Sequence, residues 1–127
     1  MKLHHLALTI QNEDELHKFY ENILDFHLVR EFKLEADWSS KIFNINKSAQ
    51  AFYLEGHGLA LELFIDEEKK QHSFNHYCLS FPDRESFVKK AKANKAIVVR
   101  IPRGSNDLIF IKDLSGNVFE IKEDIKD

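Results

Sequence analysis

The chain has 127 residues, 43% of them hydrophobic, and a formal net charge of −3. This length suits one domain, and no run of about 18 apolar residues is present that would span a bilayer, so we expect no membrane segment. Basic residues are spread along the chain, which argues against nucleic-acid binding. An N-terminus without the apolar core of a secretory signal and a single cysteine, Cys78, predict a cytoplasmic protein.

The first predicted strand, Leu3–Ile10, alternates bulky and small side chains. His5 falls on its small, more polar face. Asn12 follows as a helix N-cap with Glu15 three residues later, and apolar residues then recur at helical spacing, which predicts about three turns of helix.

Phe26–Leu34 is predicted as a second strand, followed by an irregular loop that would place Trp38 near a pocket mouth or a partner. Strand patterns return at Ile42–Ile45 and Ala49–Leu54. A glycine-containing turn then leads to Leu59–Ile65, in which leucine and isoleucine occupy one face.

Glu62 lies in the centre of that last strand, on the face opposite the leucines. A carboxylate in a strand centre is costly unless it is solvated, hydrogen-bonded, paired or bound to a cation. Its neighbours across the sheet therefore decide its role.

A hydrophilic linker, 67–72, separates this half from a second one of similar pattern. The second half begins with the strand Phe74–Phe81, which carries His76 and then Cys78 on its small-residue face. A helix beginning at Pro82 and Asp83 follows, with Asn94 as its predicted end, and after it come the strand patterns 96–101 and 108–112, the tight turn 113–117 and a strand containing Glu120.

Each half therefore opens with a histidine and closes with a glutamate: His5 with Glu62, and His76 with Glu120. We interpret this as an internal duplication. The predicted fold class is α+β, with two βαβββ modules, 1–66 and 73–127, in a single domain. They would form a curved mixed sheet or half-barrel with helices outside and the four polar residues on its concave face.

Two imidazoles and two carboxylates suit a borderline divalent ion, such as Zn, Ni, Co, Fe(II) or Mn, and are too rich in nitrogen for a dedicated Ca or Mg site. We therefore predict a metal site made of His5, Glu62, His76 and Glu120. Water or substrate oxygens would complete the coordination.

The other histidines do not join the repeated pattern, and surface or packing roles are expected for them: His4, His17, His27, His57 and His72. Cys78 is predicted to be a small buried thiol rather than a nucleophile, because no base motif accompanies it. Arg100 and Arg103, which flank Pro102, are candidates for an anion contact, although loop arginines are usually solvated.

The paired modules, with His5 in HHLALTI, Glu62 in LELF, His76 in NHYCLSF and Glu120 in DLSGNVFEI, resemble the vicinal oxygen chelate superfamily. This superfamily comprises glyoxalases, bleomycin resistance proteins and dioxygenases. The His, Glu, His, Glu set is most similar to bacterial glyoxalase I, lactoylglutathione lyase.

The resemblance implies a metal-dependent isomerase or lyase. One divalent ion would bind two adjacent oxygens of a substrate such as a hemithioacetal and stabilise an enediolate. Glu120 or Glu62 would carry the proton between neighbouring carbons, and Glu120 is assigned as the principal base. A homodimer is also implied, and whether the site lies within one chain or is shared by two stays open.

The chain departs from glyoxalase I at two positions that hold glutathione in that family. Arginine and asparagine are typical there, whereas this chain has Thr9 and Asp66. Another thiol adduct or a small hydroxy or oxo compound is therefore an open alternative as substrate. Two other functions also stay open: different chemistry on the same scaffold, as in Fe(II) dioxygenases or thiol transferases, and non-catalytic binding of a small molecule.

Overall fold

The structure is a computed structural model that describes residues 1–68 and 72–124. Backbone contacts divide the chain into two units, Met1–Glu68 and Lys69–Asp127. Each unit contains one four-stranded mixed sheet. Of the predicted linker 67–72, residues 69–71 lie outside the described residues.

In the first unit the strand order is β1-β4-β3-β2, with β1 parallel to β4 and the other pairs antiparallel. The first strand therefore pairs with the last. The elements, in chain order, are β1 (His5–Ile10), a π-helix (Leu16–Glu21), β2 (His27–Leu34), α1 (Ala36–Phe43), β3 (Ala49–Gly56) and β4 (Leu59–Ile65).

The second unit repeats this arrangement with the strand order β5-β8-β7-β6, and β5 is parallel to β8. The predicted α+β class with two related modules is thereby confirmed. Its elements are β5 (Tyr77–Phe81), α2 (Arg84–Ala93), β6 (Ile97–Ile101), β7 (Leu108–Lys112) and β8 (Val118–Glu123).

Alternation along the strands decides which face of each sheet is apolar. In the first unit Leu8, Leu61 and Leu63 are almost completely buried. Residues of the π-helix and the turn after it contribute to the same buried set, including Leu16 and Tyr20. The opposite face of the sheet is left to Glu62 and its neighbours.

The first predicted helix exists, but most of it is a π-helix. Its amides bond to carbonyls five residues back, as from Asn22 N to His17 O at 3.1 Å. Buried Glu15 accepts a hydrogen bond from the Gln11 amide at 3.3 Å. This resembles the predicted capping interaction, except that the donor is the residue before the predicted N-cap, Asn12.

The predicted loop around Trp38 and the strand pattern Ile42–Ile45 are wrong. Residues Ala36–Phe43 form α1, which ends at Asn44 in the left-handed conformation with φ 59°. The ring of Phe43 packs edge-on against Phe64 of β4, with centroids 6.0 Å apart. This long-range contact fixes a helix that its short sequence did not indicate.

Predictions for the second unit need one adjustment. The predicted strand Phe74–Phe81 starts only at Tyr77, and Phe74 is fully exposed. Helix α2 is capped as predicted, because Asp83 accepts a hydrogen bond from the Ser86 amide at 3.0 Å and Asn94 follows the last helical residue.

Candidate functional site

The first unit brings His5 and Glu62 together. In the parallel pairing of β1 with β4, Ala7 lies beside Glu62. Because side chains two residues apart share a face, His5 lies on the face of Glu62. His5 Nε2 is 3.3 Å from Glu62 Oε1.

The second unit brings His76 and Glu120 together in the same way. Cys78 lies beside Glu120 in the pairing of β5 with β8, and His76 precedes Cys78 by two residues. His76 Nε2 is 3.7 Å from Glu120 Oε1. The duplication inferred from sequence is therefore repeated in the strand register, residue for residue.

The distances fit two ligands of a common ion. Donors that are each about 2.1 Å from a metal, at angles of roughly 90–110°, are about 3.0–3.4 Å apart. The His5 to Glu62 distance of 3.3 Å falls in this range, and the His76 to Glu120 distance of 3.7 Å lies slightly above it. Each pair alone supplies only two donors, and residues 1–68 and 72–124 contain no group of three or more His, Cys, Asp or Glu arranged to hold a metal.

The imidazole of His76 is held in the orientation that a metal ligand needs. Its Nδ1 lies 2.9 Å from the carbonyl oxygen of Phe74. A carbonyl can only accept a hydrogen bond, so Nδ1 carries the proton and Nε2 presents a lone pair toward Glu120.

His5 is oriented by His4, for which the sequence predicts only a surface or packing role. His5 Nδ1 lies 2.9 Å from His4 Nδ1, and the two rings meet edge-on. One of these nitrogens donates to the other, and in either case His5 Nε2 faces Glu62. No sequence motif indicates that His4 orients His5, because the contact depends on how the two rings are turned.

The carboxylates are more enclosed than the imidazoles. Their side chains are 18% exposed for Glu62 and 16% for Glu120, against 37% for His5 and 46% for His76. Lys122 Nζ is 3.6 Å from Glu120 Oε2 and partly compensates its charge. The two glutamate side chains are thus enclosed by the sheets, and the two imidazoles lie on the more exposed side of each pair.

Aromatic side chains flank both carboxylates, and no sequence motif indicates them. Tyr53 of β3 lies beside Glu62, and Phe110 of β7 lies beside Glu120. Tyr53 is 8% exposed. Cross-strand register alone reveals these neighbours, and register is not visible from a single strand's pattern.

A cavity of about 200 Å³ lies in the first unit between β1, β4 and the segment that contains α1. Helix α1 contributes Phe43, and the sheet contributes Ala7, Thr9 and Phe64. Ala7 is the strand neighbour of Glu62, although neither His5 nor Glu62 lines the cavity.

The polar groups of this cavity form an ion pair between Lys47 Nζ and Asp66 Oδ1, at 2.7 Å. The hydrogen bond from Lys47 lowers the pKa of Asp66, and the same bond raises the pKa of Lys47. Thr9 and Asp66, the two positions at which the chain departs from glyoxalase I, both line this cavity.

One prediction about an individual side chain is wrong, and two candidate anion-binding arginines have partners within the chain. Cys78 was expected to be buried, but it is exposed, because its strand presents this face to the side of the His76 and Glu120 pair. Arg100, a candidate for an anion contact, is instead occupied by Glu85 at 2.6 Å and Asp107 at 2.9 Å. Arg103 donates from Nε to the Asn106 carbonyl at 3.3 Å.

Two other histidines, His17 and His57, have partners outside the two histidine and glutamate pairs, as the sequence predicts. His17 contacts Glu21 one turn later in the π-helix. His57 Nε2 bonds to the Leu24 carbonyl at 2.7 Å and joins a turn to the end of the first helical segment. Among residues 1–68 and 72–124, every helix falls short of the length and hydrophobicity that a membrane span requires.

Solved structures with the same fold cover nearly the whole chain. Fosfomycin resistance protein FosX from Listeria monocytogenes superposes with a TM-score of 0.74 at 14% identity, over 98% of this chain and 94% of that one. FosX from Mesorhizobium loti gives 0.70 at 13% identity, over 95% and 90%. A glyoxalase family protein from Enterococcus faecalis gives 0.71 at 18% identity, over 94% and 95%.

At these identities the structural likeness establishes the fold alone. No curated protein matches the sequence significantly. The model of the Glyoxalase/Bleomycin resistance protein/Dioxygenase superfamily matches residues 2–121, almost the full length. The chain therefore belongs to the Glyoxalase/Bleomycin resistance protein/Dioxygenase superfamily.

Proposed function

We propose that the protein is a metal-dependent enzyme that moves a proton on a small substrate with two adjacent oxygen atoms, as glyoxalase-type isomerases and lyases do. The observation that carries the proposal is the repeated register that places a histidine nitrogen 3.3 Å from Glu62 and another 3.7 Å from Glu120. The two pairs, from one chain or from two copies in a homodimer, would together supply the four ligands of one divalent ion.

The donor set fits Ni, Zn, Co, Fe(II) or Mn, since it combines two imidazoles with two carboxylates. Such an ion, when bound, supplies Lewis-acid stabilisation of negative charge on the substrate oxygens. Solved structures of Listeria FosX contain Mn(II), which makes this metal a suitable first probe.

Within this site the glutamates have the role of proton carriers. A carboxylate that uses one oxygen for a metal ion or a hydrogen bond keeps its second oxygen available to accept a proton. We assign the principal base to Glu120, whose Oε2 lies 3.6 Å from Lys122 Nζ. Glu62 has Tyr53 beside it in the register and is the alternative carrier of the proton between the two carbons.

Asp66, at a position that holds glutathione in glyoxalase I, argues against a glutathione adduct as the substrate. Asp66 would repel the carboxylates of glutathione. The positive charge of Lys47 is already paired with Asp66, so it would not attract them either. We therefore infer a short hydroxy or oxo compound, or a small thiol adduct, as the substrate.

A second candidate function is the modification of a fosfomycin-like phosphonate. One similar FosX structure, at 16% identity, contains 1S,2S-dihydroxypropylphosphonic acid together with Mn(II). That ligand is small and has two adjacent hydroxyl groups, as the proposed substrate class does. Fosfomycin turnover by the metal-loaded protein would separate this candidate from the first.

The decisive experiment compares metal binding and turnover in wild-type protein and in Glu62→Gln, Glu120→Gln and the double variant. Each single substitution is expected to weaken Mn(II) or Zn(II) binding by about tenfold or more, and the double variant should lose turnover of methylglyoxal hemithioacetals and of fosfomycin alike. Glu31→Gln is the matched control, because Glu31 lies on the opposite face of the first sheet, beside Gln50.

Stoichiometric metal binding that disappears in the double variant, with turnover of either substrate, supports the proposal. Wild-type protein that binds no divalent metal but retains small-molecule ligands would instead identify a non-catalytic binding protein. Normal turnover by the double variant would show that the glutamates are not the proton carriers.

A further inference from the structure

A row of four residues runs across the first sheet through Glu62. By register, Ala7 lies beside Glu62, Glu62 beside Tyr53, and Tyr53 beside Arg30. Residues that lie directly beside one another in adjacent strands point to the same side of the sheet. Arg30 therefore shares the face of the His5 and Glu62 pair.

The side chain of Arg30 does not simply extend into solvent from the edge strand β2. Its Cζ lies 4.2 Å from the centre of the Tyr53 ring. Tyr53 is 8% exposed and provides a fixed surface for the guanidinium. Stacking thus draws the charge of Arg30 over β3, the strand that adjoins Glu62.

The stacked guanidinium keeps its hydrogen-bonding capacity. A cation–π contact uses the flat face of the group, whereas its N–H donors point outward in the plane. In the part of the chain that the structure describes, no carboxylate lies within ion-pair distance of Arg30. The other arginines donate to oxygen atoms: Arg84 to the Asp107 carbonyl, Arg100 to Glu85 and Asp107, and Arg103 to the Asn106 carbonyl.

The second unit lacks this element. The residues in the corresponding row beside Glu120 are Phe110 and then Val99. The second unit has a different cation beside its glutamate, Lys122, and its corresponding row contains no arginine held over an aromatic ring. A feature that breaks the internal repeat on the face of a metal-binding pair suits recognition of one end of an asymmetric substrate.

We propose that Arg30, held over Tyr53, binds an anionic group of the substrate, a carboxylate or a phosphonate, while the substrate oxygens lie at the His5 and Glu62 pair. This inference rests on the proposed function. Arg30 and Glu62 are two strands apart, about 10 Å between backbones, and both side chains rise from the same face. A short substrate with an anionic end could reach both, whereas a neutral one would leave the guanidinium unused.

The test is titration of the protein with methylphosphonate and, separately, with acetate, followed by NMR of the Arg30 Nε–H group, in metal-free and Zn(II)-loaded samples. In Arg30→Met we expect affinity for the bound anion to fall about tenfold or more, since charge-assisted hydrogen bonds are lost. Arg30→Lys should be intermediate. Lys33→Met is the matched control, because Lys33 is exposed on the opposite face of the same strand.

Two substitutions test the stacking. Tyr53→Leu removes the ring and should weaken anion binding although the charge of Arg30 remains, whereas Tyr53→Phe keeps the ring and should bind like wild type. A preference for methylphosphonate over acetate, or the reverse, would identify the anion class.

Equal affinity of Arg30→Met and wild type, or absence of anion binding by wild type in both samples, would overturn the inference. Zn(II) binding is measured in the same preparations. Its absence from wild type would contradict the proposed metal function, whereas the metal-free titration would still decide the role of Arg30.

Discussion

Cys78 lies directly beside Glu120 in the parallel pairing of β5 with β8. The equivalent position beside Glu62 in the first unit is Ala7. Both side chains point to the face that carries the histidine and glutamate pair of their unit. The thiol is therefore a near neighbour of a proposed metal ligand, and alanine is compatible with the same place in the register.

Alkylation of Cys78 with iodoacetamide is expected to weaken Zn(II) or Mn(II) binding by about tenfold, because the added group occupies space beside Glu120. Cys78→Ala should bind metal like wild type and should be insensitive to the reagent. Calorimetric titration of modified and unmodified protein measures the effect. Unchanged affinity after complete alkylation would show that the thiol points away from the pair.

His76 and His57 are expected to be opposite tautomers when neutral. His76 Nδ1 faces the Phe74 carbonyl and His57 Nε2 faces the Leu24 carbonyl, so the proton lies on Nδ1 in the first and on Nε2 in the second. Long-range ¹H–¹⁵N spectra distinguish the two forms. Addition of Zn(II) should shift Nε2 of His76 and leave His57 as an internal control, and a shift of both rings would point to non-specific binding.

The sequence predicts most of the fold because alternation and capping are local. The pattern of Leu59–Ile65 indicates both a strand and the face of Glu62, and Asp83 indicates where α2 begins. Helix α1 was missed because its position depends on Phe43 packing against Phe64, which is a contact between distant segments. The same limit applies to the site: the histidines and glutamates repeat in sequence, whereas Tyr53 and Arg30 become neighbours of Glu62 only through register.

The ion pair at the cavity predicts a pH dependence. The pKa of Asp66 is lower in the folded protein than its ordinary value, chiefly because Lys47 donates a hydrogen bond to it. The pair therefore stabilises the fold above the ordinary pKa of aspartate, and this contribution is lost as the pH falls through the lowered pKa. Because Lys47 is exposed, the effect on stability should be small.

Carboxyl ¹³C titration of Asp66 measures this directly. In Lys47→Met the pKa of Asp66 should rise toward its ordinary value. Lys41→Met removes an equal charge from the last turn of α1 and should leave the Asp66 titration unchanged. An identical Asp66 titration in wild type and Lys47→Met would contradict the ion pair.

The turn that leads to the Glu120 strand depends on one buried carboxylate. Asp113 is 2% exposed and accepts hydrogen bonds from the Ser115 amide at 3.0 Å, the Asn117 amide at 2.8 Å and Asn117 Nδ2 at 2.7 Å. Asp113→Ala is expected to lower the free energy of unfolding by about 2–4 kcal/mol, because it leaves buried donors unpaired.

Urea denaturation provides the measurement for Asp113→Ala. The control is Asp14→Ala, an exposed position before the π-helix, where a change within about 0.5 kcal/mol is expected. Equal stability of the two variants would show that the hydrogen bonds of this turn are replaced by water at no cost.

The pairing of the first strand of each unit with the last one has a consequence for biosynthesis. As the chain emerges from the ribosome, β1 has no hydrogen-bonded neighbour until β4 is complete, and β5 waits in the same way for β8. His5 and Glu62 therefore meet only in the closing step of their unit, as do His76 and Glu120. A chain that stops before β8 would have His76 without Glu120, so the full set of four proposed ligands would appear only once β8 has been made.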